Sequence, residues 1–250
     1  MTICSHPEAS ETGSLRQLIF RCFPEDSEEF LSSVFENVYT PEEALVLRTD
    51  GIISAAVLLP RFHLSDGRDF GYVYCLCTSP DFRGGGLMRR LLSEAEDFCY
   101  SRGDSFVALV PANEKLALTY SKMGYSPITY TASCVDAASF PFSRRAGEED
   151  IPLLNELYES RFSASPHIIR TPELWKTLMK LYSADGGGIF IHKGGYLFAE
   201  SQGDGFIIRE AAGTDIPEGI GHRLPTSNGA PAVFAKGYSG GAPLLNLLFD

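Results

Sequence analysis

The sequence predicts a mixed α/β fold, an α+β mixed sheet with antiparallel and parallel strands covered by amphipathic helices. Three observations carry the prediction. Apolar runs of strand length alternate with turn signals at Asp50-Gly51 and Asp66-Gly67. A strand–helix–strand succession between residues 70 and 110 has the pattern of a parallel crossover. A run of three glycines, Gly84 to Gly86, separates the first strand of that succession from its helix.

Taken in order, the chain opens with two helices. Residues 14–22 place Leu15, Leu18, Ile19 and Cys22 on one face, and residues 27–38 repeat the spacing with Phe30, Leu31, Val34, Phe35 and Val38. Asp26 or Ser27 is the expected N-cap, and Glu28 and Glu29 suit the positive end of the helix dipole. Antiparallel strands are expected at residues 44–48, 52–62 and 70–78. The helix after the glycines sets Leu87, Leu91, Ala95 and Phe98 on one stripe and ends at Gly103. Residues 106–110 form a short apolar strand, and residues 113–122 a helix that stops before Gly124. The polar run from Ser143 to Asp150 marks a boundary, giving domains of residues 1–142 and 143–250. In the second, helices are expected at 151–160 and 172–182, strands at 189–192, 196–201 and 206–211, and an apolar tail at 243–250 that ends inside a sheet. Trp175, the single tryptophan, reads as core.

Composition narrows the function. With 44% hydrophobic and 21% charged residues the chain is an ordinary globular protein. A formal charge of −11 and the lack of a basic stripe argue against nucleic acid as a partner, and suit a cationic small substrate. No run approaches the roughly 18 apolar residues of a membrane span. The N-terminal residues show no basic region followed by an apolar one, so no membrane partner is expected and the cytoplasm is the expected location. Cys4, Cys22, Cys75, Cys77, Cys99 and Cys134 are scattered and read as reduced packing residues. The five histidines are isolated, so no metal is expected.

The stretch from Cys77 to Leu92 carries the chemistry: a strand, a turn at Pro80, the glycines, then an amphipathic helix. Glycines let a backbone approach a ligand closely. Successive amides and the unpaired first N–H groups of a helix then face an anion, which the helix dipole favours. Arg83 adds a charge-assisted bond. The Walker lysine and hydroxyl and the dinucleotide glycine spacing are both missing. An isolated glycine run would be read as a turn that merely starts a helix.

In context, Arg83-Gly-Gly-Gly86-Leu-Met88 resembles the pyrophosphate loop of the Gcn5-related N-acetyltransferase superfamily, and Asn113 with Tyr120-Ser-Lys-Met-Gly-Tyr125 resembles its asparagine and Y-x-x-x-G-F/Y segment. Thr78-Ser-Pro with the arginine-flanked glycines is most similar to the enhanced-intracellular-survival branch. Met88 departs from the motif, which usually closes on a small residue. The resemblance covers residues 10–140 well. It implies an acyl-CoA N-acyltransferase fold, with acetyl-CoA as co-substrate and no metal. The acetyl group would move to a primary amine by direct attack through a tetrahedral oxyanion.

The resemblance also implies roles. Backbone groups at Leu76, Cys77 and Thr78 would hold the acetyl and pantetheine parts. Amides of Arg83, Gly84, Gly85, Gly86, Leu87 and Met88 would hold the pyrophosphate, and Asn113 would touch the pantetheine arm. Tyr120 would protonate the leaving thiolate; its ordinary reading is a tyrosine covering the core beside Met123. The carboxylate of Asp250 would enter the site as base; the ordinary reading is an edge strand ending at the surface, and both stay open. Asp26 is a candidate for binding a cationic acceptor, set against its reading as a dipole partner. Arg89 and Arg90 are candidates to reach the outer phosphate, set against the favoured reading of Arg90 with Glu94 as an ordinary surface pair at i,i+4. Arg170, Trp175 and Glu210 resemble the second, acetyltransferase-like domain of the survival family, which here lacks a cofactor loop and would wall the acceptor pocket. A small-molecule amine acetyltransferase leads, with a protein acetyltransferase and a non-catalytic acyl-CoA-binding module as alternatives. The acceptor, the acyl length and the oligomeric state, a homo-oligomer included, are left open.

Overall fold

The computed structural model describes residues 1–131, 144–184, 186–202, 205–214, 223–224, 230–240, 243 and 245. The chain divides into two units, one of residues 1–63, 68–109 and 235–238, the other of the described residues within 64–67, 110–234 and 239–250.

In the first unit the elements are β1 (Thr2–Ser5), α1 (Thr12–Cys22), α2 (Glu28–Asn37), β2 (Ala44–Thr49), β3 (Ile52–Leu58), β4 (Arg61–His63), β5 (Asp69–Tyr72), β6 (Tyr74–Thr78), α3 (Leu87–Ser101) and β7 (Phe106–Leu109). Strands β1-β2-β3-β6 form an antiparallel sheet. Strand β5 pairs antiparallel with β4 and parallel with β7, which is the predicted crossover through α3. On α1 the predicted stripe is buried at Leu15, Leu18 and Ile19; on α3 the buried face is Leu91, Leu92, Ala95 and Cys99, with Leu87 and Phe98 of the predicted stripe half-buried at its margin. Helix α1 lies on β3 and β6, and α3 lies on β2, β3, β6 and β7.

Two predicted long strands are broken. The run 52–62 stops at Leu58 because Pro60 has no N–H to give a ladder, and it resumes as β4. The run 70–78 changes sheets at Val73, whose N–H still reaches the Ala108 carbonyl at 2.9 Å before β6 turns to β3. Below this break an ion-pair cluster ties β4 and β5 to the end of α3. The fully buried carboxylate of Asp104 takes Arg61 Nε at 2.7 Å and Arg102 Nε at 2.6 Å.

The second unit holds α4 (Glu114–Ser121), β8 (Ser126–Thr131), β9 (Arg144–Arg145), α5 (Ile151–Phe162), α6 (Pro172–Ala184), β10 (Gly188–His192), β11 (Gly195–Gln202), β12 (Gly205–Gly213), β13 (Arg223–Leu224) and most of β14 (Ala230–Lys236). Strands β12-β11-β10-β9 form one antiparallel sheet, and β13-β8-β14 lie side by side. Compactness thus divides the chain at Leu109, ahead of the 142/143 boundary read from composition, because β8 takes its partners from the C-terminal half. Trp175 is fully buried against Tyr158, Tyr196 and Phe198. Among these rings Arg170 makes two 2.6 Å bonds to Glu210, which also accepts from Tyr196 at 2.6 Å. The three residues singled out in this half, Arg170, Trp175 and Glu210, therefore meet in one buried cluster.

Candidate active site

Strand β6 ends its sheet, so one of its edges has no strand partner among the described residues. Its pairing with β3 joins Tyr74, Cys77 and Thr78 to Leu58, Ala56 and Ala55 and skips Cys75 and Leu76. The cause is local: Cys75 has φ +50°, a left-handed conformation unusual for a non-glycine residue, which bulges the strand. The backbone of Leu76, Cys77 and Thr78 therefore runs along a sheet edge that has no strand partner among the described residues. The Thr78 hydroxyl is buried with no hydrogen-bond partner on the chain. A buried orphan oxygen costs roughly 1–3 kcal/mol, which a ligand at this edge would recover.

Thr78 leads through a short 3₁₀ turn, Pro80–Phe82, into the glycine run. Gly84 and Gly86 have φ +84° and +76°, which only glycine adopts without strain. Gly85 does not have a positive φ, and a Cβ there would meet only the Phe82 carbonyl oxygen, at 3.8 Å. Neither backbone conformation nor packing requires Gly85 to be glycine. Helix α3 starts at Gly86 with no side-chain cap, whereas Ser27 caps α2 by accepting from Phe30 N–H and Asn113 caps α4 by accepting from Leu116 N–H. The 15-residue α3 thus offers its first amides, at Leu87, Met88 and Arg89, to a ligand. Arg83 is exposed and donates from Nε to the Thr78 carbonyl at 3.3 Å. Arg90 is engaged elsewhere, on the Thr2 carbonyl at 3.0 Å and 4.0 Å from Glu94. These groups fit a diphosphate: a backbone that can be approached, uncapped amides and a cation.

Asp26 is exposed in the turn before α2, where Ser27, not Asp26, is the cap. Burial raises the pKa of the Cys75 thiol, and the negative charge of Asp26 adds to the rise. Cys22, read from sequence as a packing residue, is instead half-exposed at the end of α1, with its thiol 3.6 Å from the Thr78 carbonyl. Cys75, Cys77 and Cys99 are buried as expected; Cys134 lies outside the described residues.

In the second unit Asn113 is exposed and spends its Oδ1 on the α4 cap at 3.0 Å, which leaves the side-chain N–H₂ to donate. The cap was missed in the sequence, although Asn ahead of an apolar helix is a start signal. Tyr120, in the last turn of α4, is 7% exposed and packs edge-on to Tyr125, its ring centroid 5.9 Å away. Burial raises the pKa of its phenol, so Tyr120 stays protonated at neutral pH. Asp250 lies outside the described residues.

A serine–histidine–glutamate line also stands in this unit, with Ser65 Oγ 3.2 Å from His167 Nδ1 and Glu159 3.0 Å from Nε2. It is not a nucleophile relay. Nδ1 faces the Ser165 carbonyl at 2.9 Å; a carbonyl only accepts, so Nδ1 carries hydrogen and cannot take the serine proton. Among the described residues no group of three His, Cys, Asp or Glu could hold a metal ion, and no helix is long and apolar enough to cross a membrane.

Residues 13–125 match the model of the acetyltransferase (GNAT) family. No curated protein matches the chain. Among solved structures, a GCN5-related N-acetyltransferase from Anabaena variabilis superposes with a TM-score of 0.68 at 14% identity, over 94% of this chain and 72% of its own. Eis1 from Mycobacterium abscessus is similar with a TM-score of 0.61 at 14% identity, over 94% and 73%. A GCN5-related N-acetyltransferase from Sphaerobacter thermophilus gives 0.56 at 16% identity, over 97% and 98%. At these identities the likeness speaks for the fold, and it takes in the second unit as well as the first. The splayed strand, the glycine loop and the family match agree: the chain has a mixed α/β fold like that of solved GCN5-related N-acetyltransferases, and its residues 13–125 match the acetyltransferase (GNAT) family.

Proposed function

We propose that the chain is an acetyl-CoA-dependent N-acetyltransferase acting on a primary amine of a small cationic molecule. Gly85 carries the reading. It is a glycine that the fold does not need, beside two that it does, at the foot of an uncapped helix. A ligand that must touch the backbone explains it.

Acetyl-CoA, when bound, supplies the thioester to be attacked. The amides from Arg83 to Met88 bind its diphosphate, and Arg83 adds a cation. The open edge at Leu76, Cys77 and Thr78 orients the pantetheine arm and donates an N–H to the oxygen where charge develops. Asn113 contributes its side-chain N–H₂ to the same arm. Tyr120, kept protonated by burial, gives its proton to the departing thiolate. Asp26 and the overall charge of −11 favour a cationic acceptor. The carboxylate at Asp250 is the proposed base, and residues 143–250 are proposed as an acetyltransferase-like domain without a coenzyme loop.

Tyr120→Phe tests the chemical step. Turnover falls about a hundredfold or more while acetyl-CoA affinity persists. An unchanged rate removes Tyr120 from the mechanism.

A further inference from the structure

The last turn of α1 lies against the segment that leads into the glycine loop. The Cys22 sulfur is 3.6 Å from the Thr78 carbonyl. Its neighbour Arg21 grips Asp81 with both arms of the guanidinium, Nη1 on Oδ2 at 2.7 Å and Nη2 on Oδ1 at 3.2 Å. Acetyl transfer as described uses neither Arg21 nor Asp81. At 54% and 63% exposure, the two side chains gain little stability from pairing. Their place is what singles them out. Asp81 is in the 3₁₀ turn Pro80–Phe82, three residues ahead of Gly84, so its backbone is at most about 11 Å from the first glycine. The Arg21 guanidinium holds the Asp81 carboxyl below the usual carboxylate range, so the carboxylate is ionised at neutral pH. Left bare, it would stand beside a loop built to take an anion. Across about 11 Å of water it would repel a doubly charged diphosphate enough to weaken binding about threefold, and more where protein displaces the water.

We propose that Arg21 is a positioning residue for the coenzyme: by pairing with Asp81 it cancels a negative charge at the start of the diphosphate loop and so raises the affinity for acetyl-CoA. The proposal rests on the coenzyme reading above. A shield of this kind differs from a mechanical brace. If the pair merely tied the loop to α1, cutting it from either side would do the same harm. Charge cancellation is one-sided. Losing the arginine bares the carboxylate, whereas losing the carboxylate leaves a spare cation beside the loop.

Calorimetric titration of the full chain with acetyl-CoA at low ionic strength decides between them, with thermal melting as the check on the fold. Arg21→Gln is expected to bind about threefold weaker or worse, with Tm within about 4 °C of the parent. Arg21→Lys keeps the charge and binds like the parent. Asp81→Asn binds as tightly as the parent or more tightly, and Arg21→Gln combined with Asp81→Asn recovers the parent's affinity. In about 1 M sodium chloride, where the Debye length falls to about 3 Å, the gap between Arg21→Gln and the parent closes. An Arg21→Gln chain that binds like the parent at low salt overturns the proposal, and so does a gap that persists at high salt. An Asp81→Asn chain that binds more weakly than the parent makes the pair a brace and overturns the shield, a result that stands even should Arg21→Gln fold poorly. A parent chain that binds no acetyl-CoA defeats the coenzyme reading and the shield together; a parent that binds it, with variants that do not differ, defeats the shield alone.

Discussion

Alanine at each glycine of the loop in turn should separate what the fold requires from what the ligand requires. Gly84 and Gly86 are left-handed, at φ +84° and +76°, and nothing lies within 4 Å of a Cβ built on either. The cost of Gly84→Ala or Gly86→Ala is therefore conformational alone, about 1–2 kcal/mol. For a chain of this size that lowers Tm by about 2–8 °C. Gly85 has no such strain and has room for a methyl group. Gly85→Ala restricts the unfolded chain and should stabilise by about 0.4–1 kcal/mol, raising Tm by about 1–4 °C. Acetyl-CoA affinity should move against stability at this position, with Gly85→Ala tenfold weaker or more, a loss of about 1.4 kcal/mol. Calorimetric melting and titration of the three variants read both quantities. A Gly85→Ala variant that binds acetyl-CoA like the parent, or that melts as early as Gly86→Ala, refutes the reasoning.

Other outcomes follow from the same structure. Asp104→Asn leaves Arg61 and Arg102 without the buried carboxylate they share and should cost about 3 kcal/mol, the lower end for a broken buried pair because Arg61 is partly exposed; urea unfolding measures it. Glu210→Gln strands the fully buried Arg170 charge, at about 3–5 kcal/mol, and hydrogen exchange should show the loss in α6, β11 and β12. Alkylation of Cys22 by iodoacetamide should rise with pH around 6, because the folded thiol pKa is lowered from 9.0 and the thiolate is present above the folded value; in urea the rise should move up towards 9. A rise near 9 in the native chain would deny that Cys77 and Arg83 lower the thiol pKa.

What was legible in the sequence was local. Helix α3 shows its period, and its glycines announce the loop, because both signals lie within one stretch of chain. The break between β5 and β6 was not legible, since it depends on β7 pairing with one half of the run and β3 with the other. Strand β1 is only four residues long with alternating exposure, and β14, rich in Ala with an internal Pro, has weak intrinsic strand preference; both went unread because their partners decide them. In the site, the loop residues were found by motif. The approach of the Cys22 thiol to the Thr78 carbonyl joins positions far apart in the chain, and no local pattern marks it. The buried Thr78 hydroxyl was hidden for the same reason: a threonine in a strand reads as ordinary until its surroundings are known.

The central claim is acetyl transfer from acetyl-CoA to an amine. The direct measurement is mass-spectrometric detection of isotopically labelled acetyl product, with the purified chain, labelled acetyl-CoA and a panel of polyamines, aminoglycosides, amino acids and peptides. The account predicts label on one class of small cationic amines, strongly reduced by Tyr120→Phe. Clear acetyl-CoA binding with no labelled amine anywhere in the panel would contradict it.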